Sequence, residues 1–376
     1  INYDIEMWKY AKQLKKKDFN SKINHTHIKN KSLILQDVEI KINNHGHRDI
    51  YLDNIKFVLI LFVVYGHFTD LNRNDSLIAG INNIIYSFHM PLFIFTSGFL
   101  SRNISGLRSV EINKILYSYV VVEALNFAFT KITHLGFGSL SLLHPTHQNW
   151  YLIGVFIWRL LIPYSQYFSK KATIIFCLAV TIVIGFTNEL DNILSLHRII
   201  YFAPFFILGY FCKDLKQLRL RLMKYKFLIL TISIALFSTI FILSYSNAEL
   251  NKNIALAYTP IRGYLEISLI SITIRILAFS SSIVLSLGVL ILIPLTQNIF
   301  TKMGRQTLNI FLLHMFLIFP LNALYYELSL SSLEILGASF ILSVGIIYLL
   351  AIKPIAMLMT PLTNFKVINK SMKLSK

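Results

Sequence analysis

The sequence predicts an all-α fold, namely a polytopic integral membrane helical bundle of about ten transmembrane helices with both termini in the cytoplasm. Three observations predict it. The 376 residues are 55% hydrophobic and only 14% charged, with a mean hydropathy of +0.59, whereas soluble domains carry more charge. Apolar runs near the length of a membrane-spanning helix recur along the chain. The cations between these runs are distributed unequally between alternate loops.

Ten apolar segments alternate with polar loops, and each segment is predicted to form a helix. They lie at about residues 50–70, 83–101, 115–131, 149–164, 172–188, 199–213, 227–245, 267–296, 306–325 and 333–353. The eighth segment is the longest, and its first part, EISLISITIRIL, contains Arg275. A charge at that position suggests a re-entrant or interfacial helix.

The loop charges predict the orientation. With the N-terminus inside, the cytoplasmic loops and C-terminal tail hold eighteen lysines and arginines, and the outer loops hold four. Cytoplasmic loops carry the excess of cations in membrane proteins, so an even number of spans follows. Residues 1–47 are predicted to be a polar, basic cytoplasmic tail, residues 48–353 the transmembrane domain, and residues 354–376 a short basic cytoplasmic tail.

The distribution of charges and the missing motifs argue against nucleic-acid binding, a metal site, a phosphate-binding loop and a nucleophile elbow. The formal net charge of +18 is spread over loops and forms no basic domain, which argues against nucleic acid as a partner. The tail histidines lack an accompanying carboxylate or cysteine pattern, and no zinc motif, phosphate loop or nucleophile elbow is present. Cys177 and Cys212 lack metal-ligand spacing. We therefore expect no metal and no bound cofactor.

Two histidines and a lysine in the first two segments are the strongest functional signal. Lys56 and His67 lie in RDIYLDNIKFVLILFVVYGHF, and eleven steps of 100° bring them back to within about 20° of one helix face. Ionisable groups in a membrane helix are costly, so they indicate function. The predicted topology puts His67 and His89 at similar depth, where they can share a cavity. These three residues are the predicted catalytic set.

Five motifs along residues 50–320 share one resemblance. They read LDNIKFVLILFVVYGH, with Asp53, Lys56, Gly66 and His67, then SFHMPLFIFTSGF, NWYLIGVFIWRLL, HRIIYFAPFFILGYF and MGRQTLNIFLLH. In this order they resemble the acyltransferase 3 family of membrane O-acyltransferases, and within it the fucose 4-O-acetylase-like sugar acetyltransferases. Two positions depart from the family pattern: Lys56 stands where many relatives have Arg, and Ser118 stands where many have Pro.

The resemblance implies a bacterial plasma-membrane enzyme that moves an acetyl group from cytoplasmic acetyl-CoA, a co-substrate, to a hydroxyl of a cell-envelope or capsular glycan or lipid-linked sugar. Histidine suits the base that such a transfer needs, and His67 is predicted to be that base. Lys56 lies roughly 16 Å from it along the helix axis. It is expected to hold an anionic part of the donor, to pair with Asp53 at i,i+3, or to snorkel to the inner interface.

Other polar residues have predicted roles beside simpler structural ones. Arg198, Asn149 and Trp150 lie at the outer face, where they bind substrate or anchor helices at the interface. His89 either orients substrate or base, or is a core histidine with satisfied hydrogen bonds. His314 lies inside the ninth segment and needs a partner there.

The last predicted residues are three cations at the cytoplasmic face and two small residues at a helix contact. Arg102, Arg108 and Lys114 are expected near the phosphates of the donor, on electrostatic grounds. Ser97 and Gly98 are expected to permit close helix packing.

Three rival functions remain at this stage: a glycan transporter or flippase, a polysaccharide polymerase, and a membrane sensor without catalysis. The Lys-x10-His element with the ordered motifs, and the lack of a visible repeat of halves, argue against a transporter. A polymerase is expected to have a large outer loop with paired basic groups. The longest outer loop here, roughly 246–266, holds only Lys252 and Arg262.

Overall fold

The computed structural model describes residues 49–102, 109–136, 141–185, 193–246 and 269–358, and within these ranges the chain forms helices joined by turns and loops, with no strand. The helices are α1 (Ile50–Leu71), α2 (Ser76–Ser101), α3 (Ser109–Thr133), α4 (Trp150–Leu161), α5 (Lys170–Ile184), α6 (Leu196–Phe211), α7 (Leu215–Met223), α8 (Lys226–Ser246), α9 (Leu269–Leu292), α10 (Thr307–Leu328), α11 (Ser332–Ala351) and α12 (Lys353–Leu358). Short 3₁₀ helices cover His147–Asn149, Ile162–Tyr167 and Ile299–Gln306. The predicted tail of residues 1–47 lies outside the described residues.

Each of the ten predicted apolar segments coincides with one helix, from α1 to α6 and from α8 to α11. Seven of them (α1, α2, α3, α8, α9, α10 and α11) are long and apolar enough to cross a membrane, judged by length and composition. The helices α4, α5 and α6 have 12, 15 and 16 residues. At 1.5 Å per residue these are shorter than the roughly 30 Å of a hydrocarbon core. The count of ten spans and the location of the termini stay predictions.

The first part of the eighth segment, predicted to be a re-entrant or interfacial helix, is described from Leu269 onward, and there α9 runs continuously across Arg275. Its place relative to the membrane stays a prediction. Arg275 is only 1% exposed. Its Nε donates a hydrogen bond to the carbonyl oxygen of Thr181 at 3.1 Å, and its guanidinium lies 5.1 Å from the ring centre of Tyr201. The guanidinium of Arg275 therefore lies inside the bundle, in contact with α5 and α6.

The helices α2 and α6 cross at two glycines. A Cβ atom on Gly98 would overlap the carbonyl oxygen of Phe206, and a Cβ on Gly209 would overlap that of Phe95. The two backbones are thus in direct contact, which only residues without a side chain permit. The predicted packing role of Gly98 is confirmed. This crossing fixes α6 against α2, and both helices line the first cavity described next.

Candidate active site

A cavity of about 670 Å³ is enclosed by α1, α2, α6, α10 and the segment before α4. We call it the histidine cavity, since its polar lining includes four histidines, one carboxylate and one guanidinium: His67, His89, His144, His147, Asp70 and Arg198. His67 and His89 come from different helices and line the same space. The predicted shared cavity of these two residues is therefore present in the fold.

His67 is paired with a second histidine behind the cavity wall. The ring centres of His67 and His314 are 5.2 Å apart. His314 is fully buried, and its Nδ1 lies 3.0 Å from the carbonyl oxygen of Ile310. Because a carbonyl only accepts, Nδ1 must carry the hydrogen, and Nε2 of the neutral ring is left as an acceptor. The hydrogen-bond partner of His314 is thus a carbonyl of its own helix, and the ring of His67 lies beside it.

His89 is fixed in the same way on α2. Its Nδ1 donates to the carbonyl oxygen of Ile85 at 2.8 Å, and its ring meets Tyr86 edge-on at 4.8 Å between ring centres. The residue is 4% exposed. A side chain held this tightly is suited to orienting another group, with the unprotonated Nε2 of the neutral ring as its remaining polar atom.

A buried carboxylate that sequence reasoning missed holds one wall of the histidine cavity. Glu123 of α3 is 1% exposed. Its Oε1 accepts from the backbone N–H of Thr146 at 2.9 Å and from Nδ2 of Asn149 at 3.0 Å, and its Oε2 accepts from Oγ1 of Thr146 at 3.1 Å. These three bonds tie α3 to the segment that carries His147 into the cavity.

His147 was also missed, because it lies in a polar stretch, LHPTHQNW, that has no chemical motif. Its backbone is left-handed, with φ of 39°, and its ring centre is 5.2 Å from that of Phe319. Burial lowers the pKa of His147 to about 4. The imidazole is therefore neutral near pH 7. The signal available in the sequence was a histidine just before the Asn-Trp motif.

The three residues predicted to bind substrate divide into two groups. Trp150 and Arg198 line the histidine cavity, with the guanidinium 5.9 Å from the indole and the indole stacked on Phe202. Asn149 is fully buried and does not line the cavity, and its Nδ2 bonds Glu123 and Thr146. Its position is that of a brace for the cavity wall.

A second cavity of about 380 Å³ lies at the Lys56 end of α1. We call it the basic cavity, because four cations line it: Lys56, Lys114, Arg159 and Arg305. Asp53, 1% exposed, pairs with Lys56 Nζ at 2.7 Å and with Arg305 Nε at 3.3 Å. The predicted pairing of Lys56 with Asp53 is confirmed. Arg159 and Arg305 were not predicted from the sequence.

The three predicted donor-binding residues lie in different places. Lys114 lines the basic cavity. Arg102 donates to the carbonyl oxygens of Cys212 and Lys213 after the end of α6 and does not line that cavity. Arg108 lies outside the described residues.

The histidine cavity and the basic cavity share one lining residue, Phe311 of α10. Its ring centre lies 5.1 Å from that of Tyr151 and 6.1 Å from that of Phe93, and it is 2% exposed. It also approaches His314, at 6.2 Å. The two cavities are therefore separated at this point by an aromatic cluster next to the histidine pair.

Comparison with known proteins identifies the family. A family model described as an acyltransferase domain matches residues 49–352, from the start of α1 to the end of α11. The chain belongs to this acyltransferase 3 family. The match includes every residue that lines the two cavities, so both belong to the family's domain. Among the described residues, no three His, Cys, Asp or Glu side chains are grouped to hold a metal ion.

The acyltransferase domain also has a curated relative. The nodulation protein NolL of Sinorhizobium fredii strain NGR234 is 28% identical over 202 residues, which cover 49% of this chain and 54% of that protein. The chain thus matches about half the length of this relative. No solved structure matches the chain.

Proposed function

We propose that this acyltransferase-family chain is a membrane O-acetyltransferase that moves an acetyl group from acetyl-CoA to a hydroxyl of a cell-envelope or capsular glycan. One observation carries the proposal. A basic cavity and a histidine-lined cavity meet at a single aromatic residue, Phe311. Such a pair of sites suits a reaction in which an anionic donor and a polyhydroxyl acceptor approach from opposite ends of one bundle.

The basic cavity is the proposed donor site. Arginine and lysine side chains bind phosphate oxygens through charge-assisted hydrogen bonds. Lys114 offers one ammonium group, and Arg159 and Arg305 each offer a guanidinium that can bind a phosphate through two hydrogen bonds. The inner wall is mostly apolar and aromatic, with Phe93 and Leu152 leading towards Phe311. This wall suits the uncharged pantetheine arm, whose thioester then lies at the junction of the cavities.

The histidine cavity is the proposed acceptor site. Its volume of about 670 Å³ is in the range that holds small ligands, and it combines an aromatic surface, Trp150, with the charged groups Asp70 and Arg198. Aromatic faces and carboxylate or guanidinium groups are suited to the apolar face and the hydroxyls of a sugar. Arg198 is then a substrate-binding residue, as the motif implied.

His67 is the proposed general base. It accepts the proton of the acceptor hydroxyl while that oxygen attacks the thioester carbonyl. The carbon–sulfur bond breaks, the acetyl ester forms, and the CoA sulfur receives the proton from His67. His314 and His89 are positioning residues in this scheme, because each has its Nδ1 bonded to a helix carbonyl.

The orientation belongs to the same proposal. Ten spans with both termini in the cytoplasm would open the basic cavity to cytoplasmic acetyl-CoA and the histidine cavity to the outside of a bacterial plasma membrane. The cation distribution supports this orientation, with eighteen lysines and arginines on the proposed inner side against four outside. Transfer at the Phe311 junction then needs no separate step that carries the acetyl group across the bilayer.

Sealed membrane vesicles test the proposal. Inverted vesicles from cells that make the acceptor glycan expose the cytoplasmic face, and acetyl-labelled acetyl-CoA added to them should transfer label to an alkali-labile ester on the glycan. Right-side-out vesicles should transfer none. Label in neither preparation, together with altered glycan amount or chain length in a deletion strain, would favour the transporter or polymerase alternative.

A further inference from the structure

A third cavity, of about 530 Å³, lies between α2, α6, α7 and α9 and shares no lining residue with the other two. Its walls are apolar, with Phe95 and Phe205 on one side and Leu287 and Leu290 on the other. Ser286 is polar, but its hydroxyl donates to the carbonyl oxygen of Ser282 at 2.7 Å. The interior therefore offers an apolar surface to a ligand and few hydrogen-bonding groups.

The mouth of this cavity is cationic. Lys213 and Arg221 line it and are exposed. Lys170 adds a third charge close by, with its Nζ 5.5 Å from the ring centre of Phe211. The carboxylate at the mouth, Asp214, caps α7 by accepting from the backbone N–H groups of residues 216 and 217 at 2.8 and 3.0 Å. The charge at the mouth is thus positive.

The position of the mouth in the fold points to a membrane interface. The helix α6 has 16 residues, so it spans about 24 Å and ends before a full bilayer is crossed. The short helix α7 follows, with Leu215 buried against the bundle and Lys216 and Arg221 exposed. A short helix with one apolar side and one basic side is typical of the boundary between headgroups and acyl chains.

We propose that this third cavity binds one anionic glycerophospholipid, with its phosphate at Lys213 and Arg221 and part of one acyl chain between α6 and α9. On α9 the lining residues run from Leu290 to Ile283, two helical turns or about 10 Å into the bundle. Basic pockets between transmembrane helices bind the headgroups of anionic lipids, and the apolar walls select a ligand with a tail. This inference does not depend on the proposed transfer reaction.

Native mass spectrometry of the delipidated chain in detergent, titrated with phosphatidylglycerol or phosphatidylcholine, tests the inference. The wild type should bind one phosphatidylglycerol more tightly than phosphatidylcholine. Because each cation near an anionic lipid is worth about fivefold in affinity, the double variant Lys213→Gln, Arg221→Gln should bind it about 25-fold more weakly. Leu287→Trp fills the cavity and should also prevent binding while the mouth stays charged.

The matched control also removes two positive charges near α7, but from residues that do not line the mouth of the cavity. Lys224→Gln with Lys226→Gln should leave phosphatidylglycerol binding unchanged. Equal loss in both double variants, or equal binding of the two lipids by the wild type, would overturn the proposal. An excess of glycerol 3-phosphate or acetyl-CoA should not displace the lipid, and displacement by either would show that the cavity binds a soluble phosphate compound instead.

Discussion

The imidazole rings of His67 and His314 lie side by side where α1 meets α10, with centres 5.2 Å apart and planes inclined by 34°. Their residues are 247 positions apart in the chain, so only the fold brings them together. His314 is fixed to its own helix by Nδ1, whereas His67 lines the cavity. We infer that His314 sets the orientation of the ring that accepts the proton.

Replacement of His314 should therefore lower the turnover number without weakening the binding of acetyl-CoA. His314→Asn keeps a donor for the carbonyl oxygen of Ile310 but removes the rest of the ring. We expect a lower kcat for acetyl transfer and an unchanged KM for acetyl-CoA, measured with purified protein in vesicles. His134→Asn, in an exposed turn, is the matched histidine control and should change neither constant. A rise in the acetyl-CoA KM alone would contradict the positioning role.

Phe311 should control whether water reaches the thioester. Phe311→Ala removes the ring that lines both cavities, so we expect more free acetate for each acetyl ester formed. Phe311→Trp should block transfer by filling the junction. The ratio of released acetate to glycan ester measures both effects. Phe237→Ala, at a ring contact with Phe88 away from both cavities, is the control, and the same ratio in all four proteins would remove Phe311 from the path.

Glu123 should act on the acceptor side only. Its carboxylate accepts three hydrogen bonds from Thr146 and Asn149, and Glu123→Ala removes all three; a buried donor left without an acceptor costs about 1–3 kcal/mol. We expect a lower melting temperature and a higher KM for the glycan, with a smaller effect for Glu123→Gln. Glu327→Gln, at an exposed site on α10, serves as the control. An unchanged glycan KM in Glu123→Ala would contradict the wall-bracing role.

The α2–α6 crossing should tolerate no side chain. Gly98→Ala and Gly209→Ala each place a methyl group against a backbone carbonyl, so the helices must separate and the folded fraction should fall. Gly345→Ala is the matched control, because a Cβ atom there meets nothing within 4 Å. That change should stabilise the chain by up to about 1 kcal/mol through helix propensity. Thermal unfolding followed by size exclusion measures all three, and equal effects would contradict the close crossing.

His147 predicts a pH dependence of stability. Its pKa is about 4 in the folded chain, below the value of 6.5 for an unperturbed histidine. Between these values the unfolded state binds a proton that the folded state does not, so stability falls as the pH falls from about 6.5 to about 4. The wild type should therefore lose more melting temperature between pH 7 and pH 5 than His147→Asn. An identical loss in both proteins would contradict the buried neutral state.

Local patterns were enough for the helices and for part of the site. Hydropathy placed α1 to α6 and α8 to α11, and the i,i+3 spacing offered the Lys56–Asp53 pair as one of three possibilities. The turn of 100° per residue predicted Lys56 and His67 on one face of α1, and in the fold they line different cavities. Each of these inferences needs only residues that are close in sequence.

Contacts between distant segments could not be predicted in this way. Arg305 reaches Asp53 across 252 positions, and Glu123 holds residues 23 and 26 positions further on without any motif. The contacts of Arg275 could not be predicted from the local sequence either. The charge alone suggests a re-entrant or interfacial helix, whereas its contacts with Thr181 of α5 and Tyr201 of α6 depend on the fold.

The most direct test of the account is the O-acetyl content of the host's surface glycan, measured by proton NMR in a deletion strain complemented with wild type or with His67→Ala. General bases contribute roughly 10²–10⁴-fold to rate, so wild type should restore the acetyl signals and an equally expressed His67→Ala should not. Restoration by His67→Ala would contradict the assignment of the base. Acetylation that is unchanged by the deletion itself would contradict the proposed reaction.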